Sequence, residues 1–160
     1  MVLLIDGYNL MHALSFSPGD DLEEGRRHLL DLLGLYKRKK GYRVIVVFDG
    51  MGKVGLGEEK GRMEGVEVVF TRRGEKADDA LVRLASRYRE GCVLITSDRS
   101  VREGAGHYGT FSFSSQDFRE KLWWVQYSEF KGEEEPGEVE QPSRRLPKKV
   151  RRCMRIWNKL

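Results

Sequence analysis

Val44-Ile45-Val46-Val47-Phe48, followed at once by Asp49-Gly50, is the stretch on which the fold turns. Five successive apolar residues with no polar alternation suit a strand buried on both faces, as in a parallel sheet covered by helices. Similar runs lie on either side of it. Val2-Leu3-Leu4-Ile5 stops at Asp6-Gly7, Val66-Glu67-Val68-Val69-Phe70 runs into a polar turn, and Cys92-Val93-Leu94-Ile95-Thr96 stops at Ser97-Asp98. A short strand is expected at residues 110–113.

Helical patterns fill the spaces between these runs. Residues 21–40 place Leu22, Leu29, Leu33 and Tyr36 on one face, and Gly41 closes the segment. Residues 76–90 turn Ala77, Ala80, Leu81, Leu84 and Tyr88 inward. A last helix, capped by Ser114 or Ser115, runs to about residue 124. Residues 50–61 hold four glycines after Gly50 and read as a mobile loop. Alternating strands and helices imply a parallel sheet with right-handed crossovers and helices on both faces.

The bulk figures agree with one ordinary domain. The chain has 160 residues, and 39% hydrophobic content is enough for a real core. No apolar run approaches the roughly 20 residues of a membrane helix, and the N-terminus does not read as a secretory signal. Cys92 and Cys153 show neither a disulfide framework nor metal-ligand spacing, so a reducing cytoplasm is the expected compartment. Charge divides the chain unevenly. Residues 1–128 carry 20 Lys and Arg against 19 Asp and Glu, residues 129–140 hold six Glu and one Lys, and residues 141–160 hold eight basic residues and no acid. The expected organisation is a domain over 1–128, an acidic linker over 129–140 and a basic C-terminal tail over 141–160. Such a tail attracts phosphates irrespective of sequence.

The candidate chemistry lies in the acids. Asp6, Asp49 and Asp98 each end a strand-like run, and ligands of open parallel sheets bind outside the carboxyl ends of the strands. Asp78 falls three residues before the inward Leu81, so it can lean over the sheet, while Asp79 is turned about 100° further toward the rim. Carboxylates packed together repel one another unless a cation neutralises them. Hard oxygen donors suit Mg²⁺ or Mn²⁺, which also bind phosphate oxygens, and two such ions can support phosphodiester cleavage. Taken singly, Asp6-Gly7 and Asp49-Gly50 are also ordinary turn chemistry, Asp78 and Asp79 suit any helix N-terminus, and Asp98 can cap a segment starting at Arg99. Turn and cap preferences do not account for all of them falling at one end of one sheet.

Ile5-Asp6-Gly7-Tyr8-Asn9-Leu10, Val47-Phe48-Asp49-Gly50, Ala77-Asp78-Asp79 and Thr96-Ser97-Asp98-Arg99 occur in an order that resembles the NYN family of PIN-like nucleases, in its bacterial YacP-like branch. The resemblance covers residues 2–124. It implies a PIN-like three-layer α/β/α sandwich with a central parallel sheet, and a Mg²⁺- or Mn²⁺-dependent endoribonuclease site. It also implies that Asp6, Asp78 and Asp98 hold metal, that Asp79 and Asp49 complete the catalytic acids, and that Asn9 braces the site or binds substrate. The YacP-like branch includes a ribosome-associated enzyme that cuts messenger RNA, so single-stranded or messenger RNA is the implied substrate and the ribosome a possible partner. The long C-terminal helical part of that branch reads here as shortened to the acidic linker and basic tail.

Several basic side chains flank the expected catalytic end: Lys53, Lys60 and Arg62 after Asp49, Arg72, Arg73 and Lys76 before the acidic helix, and Arg99 and Arg102 after Asp98. They suit contacts to an RNA backbone. Tyr8 suits stacking on a base, although a tyrosine at that place also packs into a core. The scattered His12, His28 and His107 carry no general-base signature. The alternative function is a non-catalytic RNA- or ribosome-binding module, which has no use for a costly negative cluster beside phosphates. A phosphotransferase or phosphatase of another α/β fold lacks its Asp-x-Asp or P-loop here.

Overall fold

The computed structural model describes residues 1–15, 21–50, 59–72, 74–132 and 147–160. Five strands run parallel: β1 (Val2–Asp6), β2 (Arg43–Phe48), β4 (Val66–Phe70), β5 (Cys92–Ile95) and β6 (Phe111–Phe113). A sixth, β3 (Glu59–Met63), pairs antiparallel with β4 and gives the sheet order β3-β4-β2-β1-β5-β6. The sheet is therefore mostly parallel, with an antiparallel edge.

Side chains alternate across the sheet and define its two covers. Leu3, Ile5, Val44, Val46, Phe48, Val68 and Ile95 pack on one side with Leu10, Leu29, Leu33, Tyr36, Phe118 and Leu122. Those partners come from α1 (Gly7–Ala13), α2 (Leu22–Lys40) and α5 (Ser115–Lys131). Leu4, Ile45, Val47, Val69 and Leu94 pack on the other side with Ala80, Leu81, Leu84, Val101 and Ala105. These belong to α3 (Ala77–Tyr88) and α4 (Arg99–Gly106). The result is the three-layer α/β/α sandwich. β1 lies between β2 and β5, and the chain leaves it in one direction to return on its other side. The carboxyl end of β1 is thus the topological switch point, where open α/β sheets form their crevice.

Four features differ from the sequence expectation. Asp6-Gly7 does not open a turn: Gly7 is the first residue of α1, and Asp6 is its N-cap. Residues 59–61 of the expected loop belong to strand β3, joined to β4 through Glu64 and Gly65 at φ values of 50° and 77°, and residues 51–58 of it lie outside the described residues. Positive φ at both central positions is the backbone of a tight hairpin turn. α5 continues to Lys131 and ends on Gly132 in the left-handed conformation. Finally, the basic segment contains α6 (Lys148–Lys159), and its end is seated on the domain. There Leu160 is fully buried, its carbonyl accepts the Tyr36 hydroxyl at 2.7 Å, and Trp157 lies against Phe113 with ring centroids 4.8 Å apart.

Candidate active site

Asp6 ends β1 at the switch point and is buried, an uncommon place for a carboxylate. One oxygen, Oδ1, accepts the backbone N–H of Asn9 at 3.1 Å, which is the helix-capping bond of α1. The other, Oδ2, accepts the Thr96 hydroxyl at 3.0 Å. Burial pushes the Asp6 carboxyl above the usual range. The bonds from Asn9 and Thr96 oppose that rise, and the charges of Asp78 and Asp49 add to it.

Asp98 follows β5 and caps α4. Its Oδ1 accepts the Ser100 N–H and hydroxyl, each at 2.7 Å, and the Val101 N–H at 3.1 Å. The Ser100 hydroxyl, then the Val101 amide, holds this carboxyl below the ordinary range. Asp49 follows β2 and reaches across to α3, where its Oδ1 accepts the Ala77 N–H at 2.6 Å. No side chain of the residue before α3 caps that helix, so Asp49 does so from the neighbouring strand. Asp78 is half-buried in the first turn of α3. Burial raises its carboxyl, as do the charges of Asp98, Asp49 and Asp79, while Lys76 works against them. Asp79 is exposed, one step round the helix.

The structure therefore brings the fields of Asp6, Asp49, Asp78 and Asp98 together at one edge of the sheet, with Asp79 beside them. Asn9 stands under this cluster. Its side-chain oxygen accepts the Ser97 N–H at 2.9 Å and the Ser115 hydroxyl at 2.6 Å, tying α1 to the β5 end and to the start of α5. The residue that sequence reasoning missed is Thr96. Its hydroxyl serves Asp6 and accepts the Asp98 N–H at 3.1 Å. Its signal was position alone: it is the last residue of an apolar run that ends beside an acid.

The other candidates spread around the rim. Tyr8 packs edge-on against Phe48, with centroids 5.1 Å apart. Lys76 precedes α3 and is exposed. Arg72 pairs with Glu75 at 3.5 Å, and Arg99 pairs with Glu103 at 2.7 Å, both arginines largely in solvent. Lys53 and Arg73 lie outside the described residues.

Among the described residues, no group of three His, Cys, Asp or Glu side chains is arranged as a ready-made cation cage. The donor chemistry nonetheless fits a hard divalent ion. Burial first, and then nearby carboxylates (Asp78 and Asp49 for Asp6; Asp98, Asp49 and Asp79 for Asp78), hold these two groups above the ordinary carboxylate range, and a cation would relieve that repulsion. Mg²⁺ needs only one or two protein carboxylates, because it keeps several of its waters.

A mostly parallel α/β sandwich with strand-end acids gathered at its switch point is the build of a PIN-like, nuclease-type domain. The chain belongs to the YacP-like NYN domain family, whose match spans residues 3–159 and so takes in α6. It is 40% identical over 87 residues to the Uncharacterized protein YacP of Bacillus subtilis (strain 168), a match covering 52% of this chain and 51% of that one. The chain thus aligns with about half the length of that curated relative. A crystal structure of Rae1 (YacP) from Bacillus subtilis, as a W164L mutant, superposes with a TM-score of 0.67 at 26% identity, covering 81% of this chain and 79% of that one. A second crystal structure of the same protein gives 0.66 at 26% identity, over 82% and 79%.

Proposed function

We propose that the domain is an endoribonuclease that hydrolyses RNA phosphodiester bonds with Mg²⁺ or Mn²⁺ held by Asp6, Asp78 and Asp98. The observation that carries the reading is the acidic cluster itself. Four carboxylates delivered by β1, β2, α3 and the β5 end share one edge, and burial and repulsion raise two of them. Helix capping accounts for one oxygen each of Asp6, Asp49 and Asp98, but it gives no reason for Asp78 to stand raised among them, whereas phosphate chemistry through a hard cation does. When bound, the cation would supply charge stabilisation at the scissile phosphate and a more acidic water.

The chain's own residues supply position. The Asn9 amide and the Thr96 hydroxyl fix both oxygens of Asp6, leaving the carboxylate little rotational freedom. Asp98 spends one oxygen on capping α4, and Asp49 spends one on holding α3, which carries Asp78. Asn9 locks the segment 96–98 to α1 and α5. Arg72, Lys76 and Arg99 stand at the rim for the RNA backbone. The Arg99–Glu103 pair is solvent-exposed and weak enough to exchange for phosphate, and the Arg72 side chain is largely in solvent while its partner Glu75 is also held by Arg83. Family membership supports messenger RNA, cut on the ribosome, as the finer reading of the substrate. Two free cysteines, Cys92 buried, suit a cytoplasmic setting. Among the described residues no helix is long and apolar enough to cross a membrane.

The test is cleavage of a 5′-labelled single-stranded RNA with Mg²⁺, with Mn²⁺ and with a chelator. Metal-dependent internal cuts are expected. RNA binding without cutting, on free RNA and on translating ribosomes alike, would leave only a binding module.

A further inference from the structure

We propose that the groove between the first half of α2 and the β3–β4 edge is a nucleobase subsite for the RNA strand beside the cut, anchored by Arg26. The proposal rests on the nuclease reading above and adds where the flanking strand is held. The groove encloses about 790 Å³ and is lined by Arg26, Leu30, Met63, Val68 and Phe70, with Asp21, Glu23 and Glu24 along α2. A set of packed rings links its wall to the strand ends that carry the acids. Tyr8 lies two residues beyond Asp6, Phe48 immediately precedes Asp49, and Phe48 stacks on Phe70 with centroids 5.6 Å apart.

Arg26 lies over all three rings. Its guanidinium carbon is 5.8 Å from the Tyr8 centroid, 5.9 Å from that of Phe48 and 5.6 Å from that of Phe70. Its Nε is buried, and among the described residues it has no hydrogen-bond partner; the same holds for the Tyr8 hydroxyl. Buried polar atoms are nearly always satisfied, and those that are not mark a missing partner. A guanidinium with an unmet donor beside the apolar wall of Leu30, Met63, Val68 and Phe70 matches a nucleobase, which offers ring faces and hydrogen-bonding edges. The acids along α2 bear on which base is held. Arg27 and Arg62 in the same lining balance their charge, and the carboxylates accept hydrogen bonds from the exocyclic amino groups of adenine, cytosine or guanine, which uracil lacks.

Binding can be read without cutting, in the full chain carrying Asp6→Asn, by fluorescence anisotropy with labelled 12-nucleotide oligoadenylate and oligouridylate. Adding Arg26→Lys, or Met63→Ala on the exposed edge strand, is expected to weaken oligoadenylate binding about tenfold and to narrow its preference over oligouridylate. Met63 is 41% exposed, so its replacement leaves the fold in place if Arg26→Lys does not. Unchanged affinity and preference in both variants would overturn the subsite. So would an equal loss for both RNAs, because the groove would then not be reading a base. Cleavage by the parent chain separates the two claims. If it cuts RNA while the groove variants bind normally, only the subsite falls. If it cuts nothing while the groove variants lose the adenylate preference, only the nuclease reading falls.

Discussion

The Thr96 hydroxyl donates to Asp6 Oδ2 at 3.0 Å, and the same hydroxyl oxygen accepts the Asp98 N–H at 3.1 Å. A single buried threonine therefore sets the position of the acid at the end of β1 relative to the acid that follows β5. Thr96→Val keeps the shape and removes both bonds. It leaves a buried carboxylate short of a donor, at a cost of about 1.5–3 kcal/mol for a hydrogen bond to a charged group. Thr96→Ser should retain most of the stability and activity. Urea unfolding, together with cleavage rates of the two variants, checks the pair.

Asp6→Asn should inactivate the protein and stabilise it at neutral pH. The Asp6 carboxyl lies above its ordinary range chiefly through burial, with the charges of Asp78 and Asp49 contributing. A folded pKa above the unfolded one means that its contribution is fully present below the unfolded value, about 3.9, and is lost as pH rises through the folded value. At pH 7 the ionised group is thus a net cost. Asparagine caps a helix about as well as aspartate. The melting temperature at pH 7 should rise by roughly 2–4 °C per kcal/mol recovered, and the advantage should shrink as pH falls toward 4. Mn²⁺ should stabilise the parent chain and close the gap at pH 7. A lower melting temperature for Asp6→Asn at pH 7 would show that its hydrogen bonds outweigh burial.

Gly7 is required by packing. A Cβ there would stand 2.2, 2.5 and 2.8 Å from three ring atoms of Phe48, which is fully buried. Gly7→Ala should cost about 1–3 kcal/mol, as overpacking does, and should lower activity further by displacing α1 and Asn9. Gly106→Ala meets open space and is the control. Equal stability of the two variants would contradict the packing account.

The C-terminal helix is part of the core. Leu160 is fully buried, and its carbonyl accepts the Tyr36 hydroxyl. Leu160→Ala should therefore cost about 2–5 kcal/mol, the usual range for a buried leucine. A solvated tail would make the same change neutral. Thermal unfolding of the variant distinguishes the two.

Much of this was legible in the sequence because period and burial coincide. The continuous run of Val44 to Phe48 and the inward stripe of Leu29, Leu33 and Tyr36 read as a double-covered strand and its helix, and both are buried. The strand-end positions of Asp6, Asp49 and Asp98 followed from where those runs stop. β3 escaped notice because all five of its residues are exposed, so its pairing leaves no apolar trace. The start of α1 escaped because Asp-Gly is the usual chemistry of a turn, and only the ring of Phe48 shows why the glycine is needed there. α6 escaped because its charge pattern hid a short apolar side, Ile156, Trp157 and Leu160, that finds the core only in three dimensions. Thr96 could not be assigned as a support, since it acts through Asp6, distant in sequence; for Asn9 the resemblance implied a brace or a substrate contact, but not its distant partners Ser97 and Ser115.

The most direct test of the central claim is the rate of cleavage of a labelled single-stranded RNA by the parent chain, Asp6→Asn and Asp98→Asn, in Mg²⁺ and in Mn²⁺, with folding verified for each. The account predicts metal-dependent cutting by the parent chain and loss of at least a hundredfold in both variants, the order expected when a charge-stabilising group is removed from a reacting centre. Cutting that survives both substitutions, or that proceeds equally in a chelator, would contradict a catalytic role for the acidic cluster.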